Sequence, residues 1–506
     1  MNKRVIALST FVGVLNQIAI VILSFTLRTS MLSTLGNEYV GLITVFGSIY
    51  SVLVALDGGM ASNIFIKIQK PLANNDKENI KRTFNLLKIV YYLRAVFILL
   101  IGTLVLFCLP FLVKTDSINQ TTIIFTYLLY MALSTINVAY IYNVFFVEAI
   151  QKRYLSTFIQ FFTTIIFYGL NIILLYVFKN IYIYITLMYL GAIINNTLCK
   201  KIVYKNYPYL KKNRTKIHKE DFIELKALLG MAIHTFSDVI VNSTDNILMS
   251  IYLKLSTIGM FSNYKMIVVN IKNLINQLLF AIQDPLRRAM FTKGKETIEE
   301  NIFMLLFIYS SVASFCSICL ITLLDPFISL WLGEQYILDN VSIIMFIFGI
   351  YFSIVNYPVK DCYYCAECYK NDKKTPAFEI IINLVVSIVF GYFWGLTGIF
   401  LGTLLYYIYQ TFKRSKVFYL TFFGKSNKIY IKKIMINVLF TIVVSMGIKF
   451  SLNYIVLDNL ILEFFTKSLF SALTIVLLWV LCNYKSKYYH DMILTFKRIL
   501  YSVTRK

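Results

Sequence analysis

Tyr39-Val40-Gly41-Leu42 opens an apolar run over 39–66, and Thr257-Ile258-Gly259-Met260 opens another over 257–282, 218 residues later. Pro110-Phe111-Leu112 and Pro326-Phe327-Ile328 stand at the far ends of the runs that follow, and they are 216 residues apart. Two offsets that agree within two residues mark an internal duplication. Six apolar runs separate the copies, an even number. The halves therefore run parallel, related by an axis along the membrane normal.

Composition says that the layer crossed is a lipid bilayer. Of 506 residues, 58% are hydrophobic and only 15% charged, with a mean hydropathy of +0.70. A soluble domain is typically about 45–50% apolar and about 25% charged, so a water-soluble protein is excluded. The first run, Val5 to Leu27, follows Lys3 and Arg4, is longer than a signal-peptide core and lacks an A-x-A-like site. It reads as an uncleaved helix. Further runs fall at 86–113, 121–147, 155–178, 181–199, 227–250, 301–325, 341–360, 376–395, 397–412, 434–456 and 460–482. At roughly 22 residues each, fourteen helices take about 308 positions.

The expected fold is an all-α polytopic membrane protein with about 14 transmembrane helices, in two parallel six-helix lobes plus two C-terminal helices. The lobes are 1–199 and 227–420, joined by a basic linker at 200–226 and followed by the last two helices and a basic tail over 421–506.

The chain carries 49 Lys and Arg against 25 Asp and Glu, a net +24. Of these cations, 39 fall in segments on the N-terminal side of the alternation, and five (Arg28, Lys114, Lys179, Lys254 and Lys449) on the other. That asymmetry puts both termini in the cytoplasm. It makes the basic excess a topology signal, and no nucleic-acid partner is expected. The remaining five, Lys88, Arg94, Lys265, Lys272 and Lys467, lie inside apolar runs.

Charges within a bilayer cost about 2.5–3.5 kcal/mol on insertion scales, so they face the protein interior and are paired or functional. Three acids stand out: Asp57, Asp238 and Asp245. His234, Asp238, Asn242 and Asp245 are spaced by 4, 4 and 3, one face of the seventh helix. Ser262, Lys265, Lys272, Asn273 and Asn276 share a face of the eighth. Matched depth from the hairpin tip near residue 254 predicts Asp245 beside Lys265 and Asp238 beside Lys272. Such pairs serve packing and transport pathways equally. Asp57 is placed to meet Arg94. Arg28, at the outer end of the first helix with only Glu38 near in sequence, reads first as an interfacial anchor.

Enzymatic chemistry finds little to use. No D-x-D pair occurs, only three His are present, and Lys293-Gly294-Lys295-Glu296-Thr297 lacks the P-loop pattern. Cys362, Cys365 and Cys368 form a C-x2-C-x2-C without a fourth ligand, so no metal is expected. Parallel repeats with polar midplane stripes instead describe an alternating-access carrier with its substrate between the lobes.

A family resemblance joins these features. Leu35-Gly36-Asn37-Glu38-Tyr39-Val40-Gly41-Leu42, Leu56-Asp57-Gly58-Gly59, Lys70-Pro71-Leu72-Ala73 and Ser243-Thr244-Asp245-Asn246-Ile247-Leu248 resemble blocks of the polysaccharide-transporter family, the Wzx-type flippases. So do Gly259-Met260-Phe261-Ser262-Asn263-Tyr264, Pro326-Phe327-Ile328-Ser329-Leu330-Trp331-Leu332-Gly333, Asn383-Leu384-Val385-Val386-Ser387-Ile388 and Gly395-Leu396-Thr397-Gly398-Ile399-Phe400-Leu401-Gly402-Thr403. The family belongs to the multidrug, oligosaccharidyl-lipid and polysaccharide exporter superfamily, which implies a MATE-like architecture. Gly58-Gly59 and the charge of Asp57 depart from the usual pattern, as do the cysteines of 362–368.

The resemblance implies export of an undecaprenyl-pyrophosphate-linked oligosaccharide across the bacterial cytoplasmic membrane, for capsule or a related surface polymer. Polymerase and glycosyltransferases are then the expected partners, together with membrane lipids. Arg28, Arg94, Lys265 and Lys272 are assigned to the pyrophosphate, with Asp57, His234, Asp238, Asn242 and Asp245 as counter-charges or ion-coupling groups. No cofactor is expected. Proton, sodium ion and membrane potential all stay open as the driving force. Two rivals stand beside this reading: a multidrug cation antiporter of the same fold, which favours an acidic cavity, and a non-transporting scaffold of a polysaccharide assembly complex, which needs no polar stripes.

Overall fold

The computed structural model describes residues 3–55, 68, 69, 71, 72, 74–211, 229–370, 372 and 374–494. Among them the chain is helical and contains no strand. It divides into two compact units, Met1–Ser262 and Asn263–Lys506.

The first unit begins with α1 (Lys3–Leu35), α2 (Asn37–Ala55), α3 (Lys77–Val105), α4 (Gln120–Tyr140) and α5 (Tyr142–Ala149). It continues with α6 (Arg153–Phe178), α7 (Ile181–Asn206) and α8 (Leu229–Tyr252), and α9 (Leu255–Thr292) starts in it. Turn chemistry sets the breaks. Gly36, at φ +90°, lets α1 reverse into α2 within one residue. Between α6 and α7, Lys179 takes the left-handed conformation, and the Asn180 side chain accepts from the amides of Tyr182 and Ile183 at 2.8 and 3.4 Å. α1 packs on α6, α2 on α8, and α4 on α3 and α7.

The second unit holds the rest of α9, then α10 (Lys295–Leu332), α11 (Asn340–Val355) and α12 (Tyr357–Cys365). It closes with α13 (Thr375–Trp394), α14 (Leu396–Phe418), α15 (Lys428–Leu452) and α16 (Leu460–Asn483). α10 is the hub, touching α11, α15 and α16. Thr441 donates to the Ser314 hydroxyl at 2.8 Å, and the Trp479 indole donates to Ser311 at 3.0 Å, tying α15 and α16 to it. The outward faces of α15 and α16 carry exposed Leu439, Val443, Leu469 and Leu473, as a lipid-facing surface requires.

Among the described residues, ten helices are long and apolar enough to cross a membrane, or eleven if α11 and α12, bent by 42° at their junction, form one span. Fourteen were expected from the apolar runs. α8 and α9 include side chains outside the described ones, and α14, interrupted by Tyr406, Tyr407, Tyr409, Gln410 and the cations from Lys413 on, falls outside the ten. Several helices also outlast their runs: α10 extends from the expected 301–325 to Lys295–Leu332, and α14 from 397–412 to Leu396–Phe418. The matched prolines behave differently. Pro110 starts a short helix at Leu109–Leu112 after a 3-10 turn, whereas Pro326 lies inside a continuous α10.

The duplicated segments meet each other. A Cβ on Gly41 would lie 2.1 Å from the Leu255 carbonyl oxygen, and one on Gly259 would lie 2.2 Å from that of Asn37. The 218-residue offset makes Asn37 and Leu255 equivalent, so the contact is reciprocal. Asn37 Nδ2 donates to the Ser256 carbonyl at 2.7 Å and the Leu255 amide to the Lys114 carbonyl at 3.0 Å. Glu38 accepts from the Thr115 and Ser117 hydroxyls at 2.6 and 2.7 Å, and Lys254 pairs with Asp116 at 2.5 Å. Three turns that the alternation places on the outer side are thereby drawn together.

In the second unit α13 and α14 cross closely. Gly398 and Gly402 are spaced as in membrane small-xxx-small contacts. A Cβ on Gly398 would fall 2.0 Å from the Phe390 carbonyl oxygen, and one on Gly402 would fall 2.1 Å from Ser387 Oγ. Gly398→Ala therefore has to push the helices apart, at about 1–3 kcal/mol for overpacking. A lowered melting temperature in detergent is expected, and an unchanged melt overturns the close crossing.

Candidate functional site

Arg28 lies seven residues before the end of α1, about 10 Å in from that end at 1.5 Å per residue. The side chain is half-buried, and its Nη1 donates to Ser262 Oγ at 2.7 Å. Ser262 in turn donates to the Gly259 carbonyl at 2.8 Å, which fixes the acceptor lone pairs toward the guanidinium. The expected neighbour Glu38 is committed to the 115–117 loop instead. No carboxylate among the described residues reaches Arg28.

Arg94 on α3 donates through Nη2 to the Val54 carbonyl at 2.6 Å and lies 5.7 Å from the centre of the Tyr91 ring. It thus satisfies a carbonyl near the end of α2. Asp57, its expected partner, lies three residues beyond Val54 and outside the described residues. His234, Asp238 and Asn242 lie on α8, but their side chains are outside the described ones. Asp245 on the same helix is buried, and the adjacent Asn246 donates to Ser48 of α2 at 2.8 Å.

A chain of tyrosines joins the surroundings of the two arginines. Tyr184 of α7 is close enough to Arg28 to act on it electrostatically, and Tyr168 and Tyr189 adjoin Tyr184. Ser134 donates to the Tyr189 hydroxyl at 2.6 Å, and the Tyr189 ring meets Tyr130 edge-on at 5.3 Å. Tyr130 meets Tyr50 at 6.4 Å, and Tyr50 feels Arg94. The interior of the first unit therefore offers cations at two points with phenolic hydroxyls and ring faces between them. With 37 Tyr and 42 Phe in the chain, composition alone could not single these out.

In the second unit Lys272 stands over the Tyr407 ring at 5.9 Å. The next turn holds a polar chain in which Asn356 donates to Gln410 at 2.7 Å and Gln410 donates to the Tyr406 hydroxyl at 2.8 Å. Lys265 is half-buried on α9. Lys467, counted among the intramembrane cations, is paired with Glu463 one turn earlier on α16. It is therefore neutralised locally.

Among the ion pairs that the sequence reading did not anticipate are two in the second unit. Arg287 holds Asp361 at 2.8 Å. Arg414 of α14 grips Glu379 of α13 with two bonds, Nε to Oε1 at 3.0 Å and Nη2 to Oε2 at 2.9 Å, and both side chains are fully buried. The signal that was available is that Glu379 and Arg414 sit just inside and just outside the edges of adjacent apolar runs. Cys362 and Cys368 are buried near these pairs, and among the described residues no metal-binding cluster of His, Cys, Asp and Glu occurs.

No protein-family profile matches the chain, and no curated protein does. Solved structures share its fold. A lipid II flippase, MurJ, in an inward closed conformation superposes with a TM-score of 0.68 at 15% identity, covering 96% of this chain and all 100% of that one. An inward-facing multidrug resistance MATE family transporter of the MOP superfamily gives 0.57 at 13% identity, covering 80% of this chain and 95% of that one. A point mutant of the Vibrio cholerae MATE transporter VcmN gives 0.56 at 10% identity over 84% of this chain and 99% of that one. The fold is thus the one these flippase and exporter structures share.

Proposed function

We propose that the protein is a flippase that moves an oligosaccharide linked through pyrophosphate to undecaprenol across the bacterial cytoplasmic membrane, for capsular or related surface polysaccharide. The observation that carries this reading is Arg28, a half-buried guanidinium on a membrane helix with a neutral hydroxyl as its hydrogen-bond partner. No carboxylate among the described residues offsets it, and an intramembrane charge is costly. A pyrophosphate would supply the counter-charge through charge-assisted hydrogen bonds.

The tyrosines between Arg28 and Arg94 suit the remainder of such a substrate. Their hydroxyls give and accept hydrogen bonds, and their rings offer apolar faces to sugar C–H groups. Lys265 and Lys272 of the second unit are assigned to the substrate's anionic group as well, with Asp245 as a counter-charge when substrate is absent. Because the fold is shared by a lipid II flippase and by multidrug transporters alike, the choice of a lipid-linked anion over a cationic drug rests on the intramembrane cations.

Deletion of the gene tests the proposal. Lipid-linked repeat units are expected to accumulate on the inner leaflet, with loss of surface polymer that a wild-type copy restores. Intact surface polymer together with raised drug sensitivity would replace the flippase by a cation antiporter.

A further inference from the structure

We infer that the hollow between the end of α14 and the start of α15 binds the phosphate of an anionic membrane phospholipid. The concavity, about 540 Å³, is lined by Tyr409, Phe412, Lys413, Lys416, Lys428 and Lys432. No carboxylate lines it. No side-chain hydrogen bond or ion pair joins these four lysines to a described residue. Other lysines of this unit are engaged: Lys425 with Glu299 at 2.5 Å, Lys487 with Glu300 at 2.8 Å, and Lys433 over the rings of Phe303 and Tyr488 at 4.5 and 4.2 Å.

Helix polarity gives a second, independent reason. Lys428 and Lys432 stand in the first turns of α15, where the positive end of the helix dipole disfavours cations and favours an anion. A phosphate held by Lys428 and Lys432 relieves that conflict.

The walls say that the phosphate is attached to a lipid. Exposed Ile429 adjoins the hollow, and exposed Ile436, Leu439 and Val443 continue from it along α15. Acyl chains can follow that apolar surface while the headgroup meets the lysines on the side to which the cation asymmetry assigns the cytoplasm. Basic pockets between helices at this depth suit anionic headgroups. The site is independent of what the protein transports.

Native mass spectrometry of the full-length protein, released from micelles containing phosphatidylglycerol and phosphatidylcholine in equal amounts, tests the assignment. Wild type is expected to retain phosphatidylglycerol several-fold over phosphatidylcholine. The quadruple variant K413Q/K416Q/K428Q/K432Q loses that preference, the corresponding four Lys→Arg changes keep it, and the K425Q/K487Q control keeps it. Equal retention of the two lipids by wild type overturns the proposal, as does an undiminished preference in the quadruple Gln variant. Displacement of the bound lipid by inorganic phosphate at low millimolar concentration would overturn the lipid assignment in favour of a soluble phosphate. A matching melt of the quadruple Gln variant and wild type confirms that folding is not the cause.

Discussion

Glu379→Ala is expected to be the most damaging single substitution for folding. It leaves Arg414, fully buried on α14, without the carboxylate that takes two of its N–H groups. Breaking a buried pair from one side costs about 3–5 kcal/mol, because the remaining charge keeps its desolvation penalty and loses its compensation. Removing both charges is a different matter, since well-packed apolar side chains in place of a buried pair are often neutral. The double change Glu379→Leu with Arg414→Met is therefore expected to melt far closer to wild type than either single change. If the two single changes and the double change all melt alike, the pair does not hold α13 to α14.

Arg28→Ala is expected to separate activity from stability in the opposite sense. The substitution removes a half-buried cation whose partner is a hydroxyl, so the melting temperature should hold or rise. Transport should fall. A charge-assisted hydrogen bond contributes about 1.5–3 kcal/mol, which corresponds to about ten- to a hundredfold in flipping rate when the lost contact is made to the translocating pyrophosphate. Arg28→Lys should recover only part, because an ammonium is a point charge that lacks the planar two-pronged donor set. Ser262→Ala should have a smaller effect, since it removes orientation and leaves charge. A reconstituted Arg28→Ala protein flipping lipid-linked oligosaccharide at the wild-type rate would end the assignment.

What could be read from the residues follows the physics of the bilayer. A span needs about 20 apolar residues in a row, so helices such as Arg153–Phe178 and Leu460–Asn483 announce themselves locally. Their turns do too, through Gly36, Lys179-Asn180 and Gly395. The repeat was legible because Gly41 and Gly259 each need a missing side chain, a constraint that leaves a visible residue. Depth and partners were not. The acceptor of Arg28 could not be read because Ser262 is 234 positions away, nor its depth because α1 runs on to Leu35. Glu379 and Arg414 were overlooked because a hydropathy window trims charged residues from the ends of a run, which is where a helix longer than the bilayer can bury them. The tyrosines around Arg28 were masked by abundance. Only their positions on α2, α4, α6 and α7 set them apart from tyrosines that face lipid.

The reciprocal approach of Gly41 to Leu255 and of Gly259 to Asn37 also bears on how the chain is made. The ribosome releases α2 long before α9, and contacts between residues 214 and 222 positions apart wait for nearly half of the polypeptide. Until then the Asn37 side chain has no Ser256 carbonyl to meet, and the segment opening α2 has no close-packed neighbour on its glycine face. Nascent chains arrested before residue 255 should therefore hold the early helices inserted but loosely assembled, a stage at which membrane chaperones would be in demand.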